Sequence, residues 1–318
     1  MDEEETLEGV KEASGFDVDP DFCFYELADD TDAQIILHRD SHFGGDFDRM
    51  IAYYADEGKG VQETFSLQRL FHLREFEATE TASIAELLLT EYDAEVVATS
   101  IDLREQLHEL AESEDEPPRR ETLIARLILS EEDPPEEIIE EIAAHGEAVV
   151  PLLIELLKSE RLRQPLFPGY GLAPDDAARC LGQIGSASAV QALFEEIGDG
   201  DFEREEALLS ALRMIGRPAV EFLLDLLSST NHTRDVERAA MALGSFDLET
   251  FPEISSQALH LLEHDFEIDS LLGNQLLYLC EGLREQEEWQ RFAALIRTHS
   301  HKLDAADRTL AERWISSL

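Results

Sequence analysis

The sequence predicts an all-α chain, an α-solenoid of paired helices behind a helical N-terminal region, and three observations predict it. First, one apolar spacing, i, i+3, i+4, i+7, occurs four times in succession: Ala177, Cys180, Leu181, Ile184; Val190, Leu193, Phe194, Ile197; Leu208, Ala211, Leu212, Ile215; and Val220, Leu223, Leu224, Leu227. At 3.6 residues per turn this spacing puts an apolar stripe on one side of a helix. Second, a glycine corner separates the two helices of each pair, Ile184-Gly185-Ser186 and then Ile215-Gly216-Arg217-Pro218. Third, the unit returns after about 30 residues, the signature of a repeat whose members bury their apolar faces only by stacking on neighbours.

Taken in order, residues 1–18 read as a loose acidic tail, because a stretch so charged buries too little apolar surface to order itself. An apolar knot follows at Phe22, Phe24, Tyr25 and Leu27. Residues 19–116 form an acidic helical region, with helices expected over 32–42, 46–55, 66–76, 83–90 and 94–112. Phe47, Met50, Ile51 and Tyr54 share the inner face of the second, a Gly58-Lys59-Gly60 turn follows it, and Ser66 is placed to cap the third. This region is either divergent repeats or a separate helical cap. An acidic linker ending at Pro117-Pro118 separates it from the solenoid, residues 117–318. There a helix over 120–129 precedes the first clear pair, residues 134–159, whose second helix carries Val149, Leu152, Leu153 and Leu156. Val236, Ala239, Ala240 and Leu243 continue the register, with Ala258, Leu261 and Leu262 on the partner helix. Three more helices close the chain.

Residues 160–173 interrupt the repeat: the second-helix spacing is 30 from Val190 to Val220 but 41 from Val149 to Val190. An insertion in a solenoid lands on an edge loop, a common place for binding. Arg161, Arg163, Phe167 and Tyr170 are residue types that anchor interfaces. The plainer alternative is a long loop that packs its own aromatic rings.

Composition bounds the function. The chain has 318 residues, 43% of them hydrophobic, and a net charge of −46. Residues 1–150 hold 42 acids and 10 bases against 29 and 15 in the remainder. Such a field repels phosphate backbones and anionic lipid surfaces, so neither nucleic acid nor membrane is an expected partner. No apolar run nears the roughly 20 residues of a membrane helix, and the acidic start is unlike a secretory leader, which points to the cytoplasm. Cys23, Cys180 and Cys280 are far apart, with no ligand-like pairing. Only Lys11, Lys59, Lys158 and Lys302 are lysines, the other bases being arginine. Two explanations of the acidity stay open: solubility in concentrated salt, and a surface built to receive a basic partner.

The segments His145-Gly146-Glu147-Ala148-Val149-Val150-Pro151-Leu152-Leu153, Leu181-Gly182-Gln183-Ile184-Gly185-Ser186-Ala187-Ser188-Ala189-Val190 and Met214-Ile215-Gly216-Arg217-Pro218-Ala219-Val220 resemble the helix-corner-helix consensus of HEAT repeats. They resemble specifically the short type found in phycobilisome lyases, and the likeness covers residues 134–229 well. The resemblance implies that second helices line a concave surface, where the exposed residues would be Glu155, Glu195, Glu196, Glu221, Asp225 and Glu263. That acidic stripe suits a basic peptide or helix, by electrostatic complementarity, or is simply a solvated face. The resulting expectation is a non-catalytic scaffold, adaptor or assembly factor with a protein partner and no cofactor. A lyase-like enzyme, or a helper that binds a chromophore or other cofactor, is the alternative.

Sites for chemistry are sparse. His38 and His42 stand one helical turn apart and could share a zinc or iron ion, but Gly44-Gly45 breaks the helix before Asp46 and Asp48, and no second ligand set is evident. HEAT-repeat deoxyhypusine hydroxylase holds iron with His-Glu pairs, and the matching places here are Asp175-Asp176 and Glu237-Arg238. HEAT-like DNA glycosylases need a cationic face, which this chain lacks. No nucleotide-binding or hydrolase motif is present. No metal site or catalytic residue is therefore expected.

Overall fold

The computed structural model describes residues 30–79, 83–113, 117–198, 202–228, 234–264 and 270–316, and every regular element among them is helical. The expected tail, the aromatic knot at Phe22, Phe24, Tyr25 and Leu27, and Cys23 lie outside the described residues. The chain divides into two compact units. One comprises the described part of Met1–His145 with Pro151–Ala177, the other Gly146–Val150 with the described part of Ala178–Leu318.

The first unit contains α1 (Asp30–Phe43), α2 (Phe47–Ala55), α3 (Leu67–Thr79), α4 (Ile84–Leu88), α5 (Glu91–Ala111), α6 (Arg120–Leu129) and α7 (Glu136–Ala143), with most of α8 (Val150–Leu157) and the start of α9 (Ala173–Ile184). Its middle is α1, which packs against α2, α4 and α5. Covered on several sides, α1 buries Ile35 and Ile36 but also Asp32, His38, Arg39 and Ser41. Buried charges survive only when paired. Asp32 accepts from Arg69, whose Nε lies at 2.7 Å, and Arg39 donates to Asp40 at 2.7 Å and to Glu77 at 2.8 Å. Phe47, Met50, Ile51 and Tyr54 of α2 complete the core with Phe65, Leu70, Leu73 and Ile84. The ends are fixed locally: Asp46 accepts from the amides of Asp48 and Arg49, Ser66 from that of Arg69, and Thr90 with Asp93 forms a reciprocal cap on α5.

The second unit continues α9 and adds α10 (Val190–Glu195), α11 (Phe202–Ile215), α12 (Arg217–Leu227), α13 (Arg234–Leu243), α14 (Pro252–His264), α15 (Leu271–Leu279), α16 (Gln286–His299) and α17 (Ala305–Ser316). The four stripes read from sequence are buried, with two exceptions: Ile184 and Leu224 are partly exposed. Gly185 and Gly216 take φ of 71° and 75°, the left-handed conformation that lets each helix end in a tight corner without Cβ strain. Gly182 serves a different need. A Cβ there would lie 2.7 Å from Ala211 Cα, so the backbones of α9 and α11 meet where no side chain fits. The second helices α10, α12, α14 and α16 pack each on the next, and α13 packs on α15. Each fully buried Leu or Ile in these layers contributes about 1.5–3 kcal/mol, a gain that requires the neighbouring pair.

Candidate protein-binding surfaces

Second helices present their outer residues as the sequence implied, but their charges are not all free. Glu221 and Asp225, one turn apart on α12, are exposed, and no ion pair engages them among the described residues. Glu195 of α10 is exposed and accepts from Gln191 Nε2 at 2.8 Å. Glu195 and Asp225 hold equivalent places in their repeats, each five residues beyond the first stripe residue, Val190 or Val220. Glu196 is different: the buried guanidinium of Arg204 reaches it at 2.7 Å. Arg291 likewise clasps Glu263 with both ends of its guanidinium, Nε lying 3.0 Å from Oε1. Glu196 and Glu263 are thus neutralised within the chain, by an arginine from the next helix, α11, in the first case and from the next second helix, α16, in the other. Glu155 is exposed but belongs to the first unit.

The inserted loop departs further from expectation. Arg161 is exposed and Arg163 half-buried, donating to the Leu157 carbonyl at 3.0 Å, while Phe167 and Tyr170 are only 5% and 8% exposed. These two rings, expected as anchors for a partner, instead anchor the loop to its own unit. His42 Nε2 donates to the Pro165 carbonyl at 2.7 Å and the Ser100 hydroxyl to that of Leu166 at 2.6 Å. Tyr170 adopts φ of +56° between Gly169 and Gly171, also left-handed, and this turn delivers its ring against His42, with centroids 4.5 Å apart. Its hydroxyl meets Glu131 at 3.0 Å, beside that of Tyr53 at 2.6 Å. The ring fills the space over Gly60, where a Cβ would lie 2.2 Å from it. Below, Lys59 and Asp176 form an ion pair of 3.1 Å with both side chains almost fully buried.

This clasp also answers the question of His38 and His42. Their rings stand 4.6 Å apart, but His42 accepts from Arg104 at Nδ1 and donates to Pro165 at Nε2, leaving no lone pair for a metal. Burial, aided by the Arg104 charge, pushes His38 down to about 4. Burial holds His42 lower still, with His38 and Arg104 adding to the effect and the Pro165 carbonyl opposing it. Burial and the shared Glu131 raise Tyr53, and burial raises Tyr170. Both imidazoles are therefore neutral packing groups within an aromatic cluster that includes Phe43, Tyr54 and Phe65. Among the described residues no group of three or more His, Cys, Asp or Glu side chains could hold a metal ion. Asp176, at one of the places compared with iron ligands, is occupied by Lys59. No helix among the described residues is long and apolar enough to cross a membrane.

Sequence reasoning missed the clasp because its partners lie far apart in the chain, Lys59 and Asp176 by 117 residues. The local signal was Pro168-Gly169-Tyr170-Gly171, one aromatic ring between two residues free to take positive φ.

Paired helices, glycine corners and successive layers define a helical repeat scaffold, a class whose members usually work by holding other proteins. The family model for HEAT repeats matches residues 175–244, and the chain is a HEAT-repeat protein on that segment. A crystallised engineered protein is 19% identical, with 67% of this chain and 95% of that chain covered and a TM-score of 0.31, a likeness too slight to add to the argument. No curated protein matches the chain.

Proposed function

We propose that this protein is a non-catalytic interaction scaffold or assembly factor that receives a basic, helical segment of a partner on the outer face of its second helices. Glu195, Glu221 and Asp225 are the principal contacts, and Glu196 and Glu263, already held by Arg204 and Arg291, shape the surface without adding free charge. The observation that supports the reading is the placing of Glu195 and Asp225 at one repeat position on α10 and α12, two helices that pack together. A regular spacing of exposed carboxylates orients a cationic helix and speeds its encounter. Neither Glu155 nor Arg161 is required, and Phe167 and Tyr170 have no part in it.

The test is fluorescence anisotropy with a labelled Lys- and Arg-rich amphipathic helix. Binding should weaken as KCl rises, because the Debye length shortens to about 8 Å at 0.15 M. It should be lost in the variant carrying E195K, E221K and D225K, and an acidic helix of the same pattern should not bind. Equal binding by the charge-reversed variant would refute the proposal, as would a coloured or catalytic ligand that copurifies with the protein and is displaced by none of these changes. A melting temperature that falls steeply in dilute KCl for wild type and variant alike would assign the acidity to salt tolerance instead.

A further inference from the structure

One pair of side chains on the row of second helices has no part in the binding proposed above. Helix α14 contains His260-Leu261-Leu262-Glu263-His264, in which Leu261 and Leu262 are buried in the core while both histidines are exposed. One turn apart, the two imidazoles lie side by side, with ring centroids 4.6 Å apart and planes inclined at 40°. Their relation to His38 and His42 is instructive: the spacing and the ring distance are the same, but there both nitrogens of His42 are engaged. Here the Nδ1 of His264 lies 2.8 Å from the His260 carbonyl. A carbonyl only accepts, so Nδ1 carries the hydrogen, which leaves Nε2 of this exposed ring as the nitrogen for a ligand. This is the arrangement by which metal-bound histidines are commonly fixed: the far nitrogen donates to a backbone carbonyl, which sets the tautomer and aims the ring.

We propose that His260 and His264 form a two-imidazole clamp for a borderline divalent cation, Zn2+ or Cu2+. Imidazole suits these ions, whereas Mg2+ and Ca2+ prefer oxygen. A metal–nitrogen bond of about 2.0–2.1 Å requires the two Nε2 atoms to converge on one point, which neighbouring rings reach by small side-chain rotations. The chain's net charge of −46 favours a cation anywhere near its surface. Glu263 sits between the histidines in sequence but is clasped by Arg291, so it supplies neither a third ligand nor a free base. With no third donor among the described residues, the remaining coordination positions belong to water or to a donor from another molecule.

The experiment is calorimetric titration of the full chain with ZnCl2 and, separately, CuCl2, in molar KCl with excess Mg2+ to occupy scattered carboxylates. Wild type should take up one ion per chain at this site, and H260Q and H264Q should each weaken it by more than about a hundredfold, beyond the roughly 10–100-fold that loss of a merely supporting group costs. H301Q, which alters an exposed histidine elsewhere, should bind as wild type does. Because both substituted side chains are exposed, far-ultraviolet circular dichroism should be unchanged, and nitrogen hyperfine structure in the Cu2+ resonance spectrum should report the imidazoles directly. Equal uptake by H260Q, H264Q and wild type, or no one-equivalent site in wild type, would overturn the proposal.

Discussion

The two units are held together over different distances along the chain. In the first, the polar contacts that fasten the loop join residues 123, 117 and 66 apart, namely His42 with Pro165, Lys59 with Asp176 and Ser100 with Leu166. In the second they span about one repeat: 39 residues for Ser186 with Glu147, 36 for Arg217 with Glu253 and 28 for Arg291 with Glu263. Closing a loop twice as long costs only about 0.6 kcal/mol more, so the contrast matters less for stability than for order of events. Repeats can propagate from any pair to the next, whereas the first unit is complete only when the chain returns through residues 160–176. The contrast extends to chemistry: the long-range unit buries a cluster of charge, imidazole and phenol, whereas the short-range unit buries mainly apolar side chains, with Arg204 and Asp307 its buried charged groups among the described residues.

The largest effect is expected at Asp176, whose side chain is buried against Lys59. D176A leaves the Lys59 ammonium buried and unpaired, which should cost about 3–5 kcal/mol in chemical unfolding followed by circular dichroism. K59M with D176L should recover most of that loss. Both tryptophans, Trp289 and Trp314, belong to the second unit, so their fluorescence reads that unit alone. A D176A effect seen equally in tryptophan fluorescence would mean that the units unfold as one. Next comes L212A, which removes a fully buried side chain from α11 and should cost about 2–5 kcal/mol, read by tryptophan fluorescence. Its hydrogen-exchange protection should fall across α11, α12 and α13 together, since no pair is stable alone; loss confined to α11 would contradict the coupling.

Acid should act on the first unit through its two buried imidazoles, and of these His38 gives the smaller share. Its folded value, about 4, lies below the ordinary 6.5, so the unfolded chain binds a proton that the folded one refuses. The neutral ring's contribution is whole above pH 6.5 and is lost as pH falls toward 4, about 3 kcal/mol in all. H38F should flatten that part of the profile relative to wild type, and identical profiles would refute the assignment. G60A is a smaller perturbation: its methyl displaces the Tyr170 ring and should cost about 1–3 kcal/mol, with Arg163 and Phe167 becoming more open to proteolysis. E221K with D225K should change stability by less than about 0.5 kcal/mol, since both side chains are solvated, while abolishing binding of the basic helix.

Most of the second unit was legible in advance. The stripe at Leu208, Ala211, Leu212 and Ile215 and the corner at Gly216 require only the helical period and the conformational freedom of glycine, both properties of adjacent residues. The exposure of Leu224 was not legible, because one residue more or less on a stripe depends on where the next helix crosses. The candidate site was half legible. That Glu195, Glu221 and Asp225 face outward follows from the wheel, but the capture of Glu196 by Arg204 and of Glu263 by Arg291 depends on which side chain a later helix of the stack presents. In the loop, Arg161, Arg163, Phe167 and Tyr170 were recognisable as residues suited to contact. Whether they touch another molecule or their own depends on a surface built by residues more than a hundred positions earlier.

The sequence by itself determined the helices, their corners and the outward sign of charge, since each depends on residues within one or two turns of each other. Only the tertiary structure decided that Tyr170 fills the space over Gly60, that Lys59 lies buried against Asp176, and that His42 is used up while His264 keeps a free nitrogen. Those outcomes turn on distances between groups remote in the chain, and a buried polar atom finds its partner only once the backbone has brought the two together.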